Sequence, residues 1–86
     1  MRSIFSYNLY NIRQWCNLSY DEMSNALNVP RANLSAYEKG TREPKLSAII
    51  DISNKLNLSL DDLTTRYISL EKYQYNMFYQ QHFSAK

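Results

Sequence analysis

Residues 27–40 read LNVPRANLSAYEKG, a short polar stretch with a proline near its start and the chain's single glycine, Gly40, at its end. Pro30 suits the beginning of a helix, because the N–H it lacks would have no helical partner there. Gly40 stands where a helix is stopped by a residue of positive φ. The two predict a helix over about residues 31–39, with Leu34 and Tyr37 turned inward and Arg31, Asn33 and Ser35 available outside. A nine-residue helix is too short to be stable alone. Its neighbours have to hold it.

Upstream, Phe5, Leu9, Ile12 and Cys16 recur at helical spacing, predicting a first helix from about Ser3 to Cys16. Ser19 followed three residues later by Glu22 is a capping box for a second helix, which buries Met23 and Leu27. Only about three residues then separate the second helix from the third. So short a link makes consecutive helices cross steeply, as in a helix-turn-helix unit, although a helical hairpin within another bundle has the same pattern. Downstream, Pro44 introduces a fourth helix with the stripe Leu46, Ile49, Ile52 and Leu56, and Ser59 caps a fifth that carries Asp61 and Asp62 in its first turn. Three of the helices stop at an asparagine followed by an apolar residue: Asn17-Leu18, Asn28-Val29 and Asn57-Leu58. Asparagine tolerates the left-handed conformation that ends many helices. With no useful β alternation, the class is all-α.

Composition narrows the chemistry. Eighty-six residues suffice for one small domain. No apolar run approaches the roughly 20 residues needed to cross a bilayer, and the N-terminal segment is too polar for a secretory leader. One cysteine, Cys16, allows no internal disulfide, so a reducing cytoplasm is the expected location. A lone Cys16 and a lone His82 give no metal cluster, and one glycine builds no phosphate-cradling loop. No catalytic function, metal, cofactor or small-molecule substrate is expected. The net charge of +2 says little about a polyanionic partner by itself.

Residues 9–63, with the stretches NIRQWCNLSYDEM (11–23), YEKGTREP (37–44) and KLNLSLDDL (55–63), resemble the phage-repressor (Cro/CI, XRE-type) helix-turn-helix domain of bacteria and phages. The resemblance implies a five-helix, lambda-repressor-like domain that binds double-stranded DNA and regulates transcription, with its third helix in the major groove. Matched position by position, it assigns base contacts to Arg31, Ala32, Asn33, Ser35 and Ala36. Arginine can pair with guanine O6 and N7, and asparagine with adenine N6 and N7. Phosphate contacts fall to Ser19 and Tyr20 at the start of the second helix, and to Lys39, Thr41, Arg42 and Lys45 after the third. Tyr20 replaces the glutamine usual at its position, and Asp21, Glu22 and Glu43 thin the positive patch. The resemblance also pairs Arg13 with Glu38 to orient the third helix.

Residues 1–66 form the expected domain and residues 67–86 an aromatic, helical C-terminal extension. Leu63, Tyr67, Leu70, Tyr73 and Met77 follow helical spacing. This stripe has three readings: it folds back on the core, it dimerises through Tyr67, Leu70, Tyr73 and Met77, or it is partly disordered. Two functions follow. The first is a homodimeric, sequence-specific transcriptional regulator, expected to be a repressor. The second is a protein-interaction module on the same fold, antirepressor- or antitoxin-like, favoured by the acids of the second helix, the alanines of the third and the aromatic end.

Overall fold

The computed structural model of the chain describes residues 2–83, so the last three residues of the expected 67–86 extension lie outside the described residues. The described residues are helical, in the order α1 (Ile4–Trp15), α2 (Tyr20–Leu27), α3 (Arg31–Lys39), α4 (Leu46–Lys55), α5 (Leu60–Thr65), α6 (Leu70–Tyr73) and α7 (Met77–Phe83). The all-α expectation holds, and the first five helices fall where capping and periodicity placed them.

Local chemistry accounts for those boundaries. Ser3, Ser19 and Ser59 each accept a hydrogen bond from a first-turn N–H, and Ser19 with Glu22 completes the capping box. Asn17, Asn28 and Asn57 all take positive φ, at 56°, 55° and 56°, and Gly40 takes 75°. After each, the next N–H reaches back five residues: Leu18 to Arg13 O, Val29 to Ser24 O, Thr41 to Ala36 O and Leu58 to Ser53 O. This is the Schellman closure, in which a left-handed residue lets the chain satisfy carbonyls the helix has left open. The apolar residue after each asparagine then turns back inward; Leu18 is buried in the core, with Val29 and Leu58 packed against it.

The core is built from Phe5, Leu9, Ile12 and Cys16 of the α1 side, Met23, Leu27, Leu34 and Tyr37 of α2 and α3, and Ile52, Leu56 and Leu63 of α4 and α5. Fully burying one such side chain contributes about 1.5–3 kcal/mol. The α4 stripe is shorter than its periodicity suggests. Leu46 is 65% exposed, because it lies at the first residue of α4 and beyond the reach of the core; Ile52 and Leu56 carry the burial. Pro44 likewise stands two residues before α4, with Lys45 at the capping position.

The stripe from Leu63 to Met77 is not one helix. Backbone at Arg66 is extended, with φ −136° and ψ 144°. The cause is Asn8 of α1, fully buried, whose amide donates to the carbonyls of Leu63 and Arg66, both at 2.8 Å, while its oxygen accepts from Ile68 N at 3.0 Å. Those backbone groups are satisfied by a side chain, and the helix ends. Beyond the break, Tyr73 and Phe78 join the core. The Tyr73 hydroxyl donates to Leu56 O at 3.2 Å, and its ring packs on Trp15. Asn76 opens α7 by accepting from Phe78 N while its amide donates to Asn57 O.

Candidate nucleic-acid interface

The face of α3 that turns away from the core carries Arg31 and Ala32, which are exposed, and Asn33, Ser35 and Ala36, which are half-buried. Leu34, Tyr37 and Glu38 are buried on the other side. At about 1.5 Å per residue the helix is roughly 14 Å long, comparable with the roughly 12 Å width of a B-DNA major groove. The link 28–30 is closed by the left-handed Asn28 and by the Ser24 hydroxyl, which donates to Val29 O. α2 is tied in turn to α4, because Lys55 Nζ donates to Leu27 O at 2.8 Å, a cation placed at a helix C-terminus.

Behind α3 lies the pair Arg13–Glu38. Glu38 is wholly buried and the Arg13 side chain 9% exposed. Arg13 Nε donates to Glu38 Oε2 at 2.8 Å and Nη2 to Oε1 at 3.0 Å, while Nη1 donates to Leu18 O at 3.1 Å. The guanidinium also lies over the Tyr20 ring, 4.1 Å from its centroid. Burial works against the Arg13 charge, but the hydrogen bond and charge of Glu38, joined by Tyr20 and Tyr10, together hold the guanidinium above its ordinary range. One carboxylate of α3 is thereby fixed to α1 and to the turn before α2. A planar two-pronged contact transmits orientation that a point charge would not.

Around the α3 face, the positions expected to meet phosphate divide in two. Lys39 and Lys45 are exposed and flank the Gly40 turn in sequence. Ser19 accepts from Glu22 N at 3.1 Å, and its hydroxyl proton stays available as a donor. Tyr20 spends its ring on Arg13, and the Thr41 hydroxyl turns back to Ala36 O at 3.4 Å.

Two outward residues have partners that the sequence did not announce. Arg31 Nη1 lies 3.3 Å from Asp21 Oδ1, and its guanidinium is 5.9 Å from the Tyr20 centroid. Arg42 Nη1 donates to Asn33 Oδ1 at 3.0 Å. The Asp21 contact was foreshadowed only as an unfavourable acid in α2. No spacing rule joins residues 33 and 42. Asn8 was missed for the same reason: a single polar residue on a helix carries no mark of what it will clamp.

Of the residues expected to face a second copy, Tyr67, Leu70 and Met77 are exposed. Tyr73 is instead 2% exposed, because its ring and hydroxyl are engaged by Trp15 and Leu56. That position belongs to the core. Among the described residues no group of three or more His, Cys, Asp or Glu is placed to hold a metal ion. No helix among them is long and apolar enough to cross a membrane.

An α2–α3 pair joined by the three-residue link 28–30, with a buried ion pair behind it and a short polar face in front, has the make-up of a helix-turn-helix unit. The chain belongs to the helix-turn-helix family, whose profile matches residues 9–63. It is similar to the uncharacterized HTH-type transcriptional regulator YqaE of Bacillus subtilis (strain 168), with 42% identity over 60 residues. That similarity takes in 70% of this chain and 52% of the relative, so the chain spans about half the length of the curated protein it matches. No solved structure matches the chain.

Proposed function

We propose that the protein is a sequence-specific, DNA-binding transcriptional regulator acting in the cytoplasm as a homodimeric repressor. The observation that carries this reading is the outward face of α3, with Arg31, Ala32 and Asn33 at its N-terminal half, aimed by the buried Arg13–Glu38 pair. Arg31 and Asn33 read base edges, Ala32 and Ala36 allow close approach or touch thymine methyls, and Ser35 stands beside them. Ser19, Tyr20, Lys39, Thr41, Arg42 and Lys45 meet phosphates and set register. No catalytic step and no cofactor enters.

Size supports a second copy. Successive major-groove sites on one face of the duplex lie roughly 34–36 Å apart, whereas the molecule measures 30 Å along its longest axis. One α3 reads one half-site. Two copies joined through Tyr67, Leu70 and Met77 would read a palindrome and block polymerase by occupancy.

The test is selection of binding sequences from a random duplex pool, repeated at about 50 and 200 mM salt, where phosphate-based affinity falls steeply. The expected result is a motif of two related half-sites about one helical turn apart, lost in Arg31→Ala. Feeble, unselective binding at the lower salt overturns the reading and favours a protein partner, an antirepressor- or antitoxin-like role that the exposed Tyr67, Leu70 and Met77 also suit.

A further inference from the structure

Asn33 and Arg42 are nine residues apart, on opposite sides of the Gly40 turn. The turn brings them together. Gly40 is left-handed, Thr41 N closes on Ala36 O at 3.0 Å, and the chain folds back along the helix it has just left. Arg42 Nη1 then donates to Asn33 Oδ1 at 3.0 Å.

A carboxamide has two ends of similar shape and opposite hydrogen-bonding sense. A surface asparagine without a partner turns over freely and offers either end to a base. With a guanidinium on Oδ1, Asn33 is held one way round: the oxygen faces Arg42 and Nδ2 is presented as a donor. The cation withdraws electron density from the carbonyl, making Oδ1 a poorer acceptor for adenine N6 and Nδ2 a better donor. Guanine N7 and O6 or thymine O4 suit such a group better than adenine, which requires both senses at once. Arg42 retains four further N–H donors in a rigid fork, enough to hold a phosphate oxygen at the same time.

We propose that Arg42 is a positioning residue for base readout: it fixes the Asn33 carboxamide donor-outward and selects an acceptor-bearing base edge at that step. This rests on the DNA-reading role of α3 proposed above. A residue that merely touches phosphate contributes equally to every sequence, so the two roles differ in what they do to discrimination.

The experiment is selection and competition binding with the full chain and its Arg42→Ala, Asn33→Ala and doubly substituted forms, each first shown to melt normally. In the unaltered protein, one base-pair step is expected to favour guanine or thymine over adenine opposite Asn33. Arg42→Ala lowers affinity for all sequences and, at that step alone, reduces discrimination on the order of tenfold. Asn33→Ala abolishes the preference at the same step, and the double substitution loses no more of it than Asn33→Ala does. An even loss of affinity in Arg42→Ala, with every base preference intact, overturns the proposal and leaves Arg42 a phosphate contact. A marked adenine preference at the Asn33 step in the unaltered protein also overturns it. Absence of any selected motif in the unaltered protein removes the DNA-reading role itself, and the proposal falls with it.

Discussion

Replacing Glu38 with alanine removes the carboxylate but leaves Arg13 where it is, under Tyr20 and against the α1–α2 turn. Two strong N–H···O contacts vanish, and the guanidinium, its side chain 9% exposed, keeps Leu18 O and the Tyr20 and Tyr10 rings. Breaking a buried pair by deleting one partner costs about 3–5 kcal/mol, most of it from the charge left behind. Total stability for 86 residues is expected to be about 4–13 kcal/mol, at roughly 0.05–0.15 per residue. The substitution therefore removes a large share of it. For a domain of this size each kcal/mol moves the melting point by about 4–8 °C, so a fall of at least about 12 °C is expected. Thermal unfolding followed by circular dichroism measures it, and DNA binding should decline with the folded fraction. The companion is Arg13→Met with Glu38→Leu, which fills similar volume without charge and should recover most of the lost stability. A Glu38→Ala protein that melts within about 2 °C of the unaltered chain would refute the argument, since a buried guanidinium cannot lose its carboxylate at so little cost.

Three further outcomes are expected. Asp21→Asn frees Arg31 and removes one acid from the α3 edge, so duplex affinity should rise by up to about fivefold at low salt; an unchanged dissociation constant would place Arg31 away from the interface. Asn8→Leu strands the carbonyls of Leu63 and Arg66 and the N–H of Ile68, costing about 3 kcal/mol or more. Faster hydrogen exchange at Ile68 is its signature, and unaltered exchange would deny Asn8 that role. Burial pushes the Cys16 thiol up to about 11 from an ordinary value of 9.0. The folded state therefore keeps a proton that the unfolded chain gives up, and stability should fall as pH rises from about 9 towards 11. Burial pushes Tyr73 in the same direction, adding to the loss at still higher pH. Urea midpoints at pH 7, 9 and 10.5 test this, and a flat series contradicts it.

Residues close in sequence decided the helices. A serine cap, a proline, an asparagine or glycine stop each act on backbone groups within five positions, so Ser19 with Glu22, the three left-handed asparagines and Gly40 could be read directly. Periodicity identified Leu9, Ile12, Met23, Leu27 and Leu34 as core, because burial on one face imposes the 3.6-residue repeat. The Arg13–Glu38 contact was legible only through family resemblance; the structure supplies its geometry.

What the tertiary structure alone decided depends on groups that meet from distant positions. Asn8 holds the backbone at the end of α5 from more than fifty residues away, and a continuous stripe in the sequence becomes α5, an extended link, α6 and the start of α7. Spacing could propose Tyr73 for a surface, but the Trp15 ring and the Leu56 carbonyl place it inside. Leu46 keeps the helical register and still points to solvent, since a repeat does not say where the core stops. At the α3 face, residue identity gave Arg31, Asn33 and Arg42 as hydrogen-bonding groups. Which of them is held by Asp21, and which holds another, was settled by the placement of α2 beside α3 and the fold of the Gly40 turn. Local backbone chemistry acts within a turn of helix, whereas the orientation of an outward polar side chain is set by whatever the fold brings beside it.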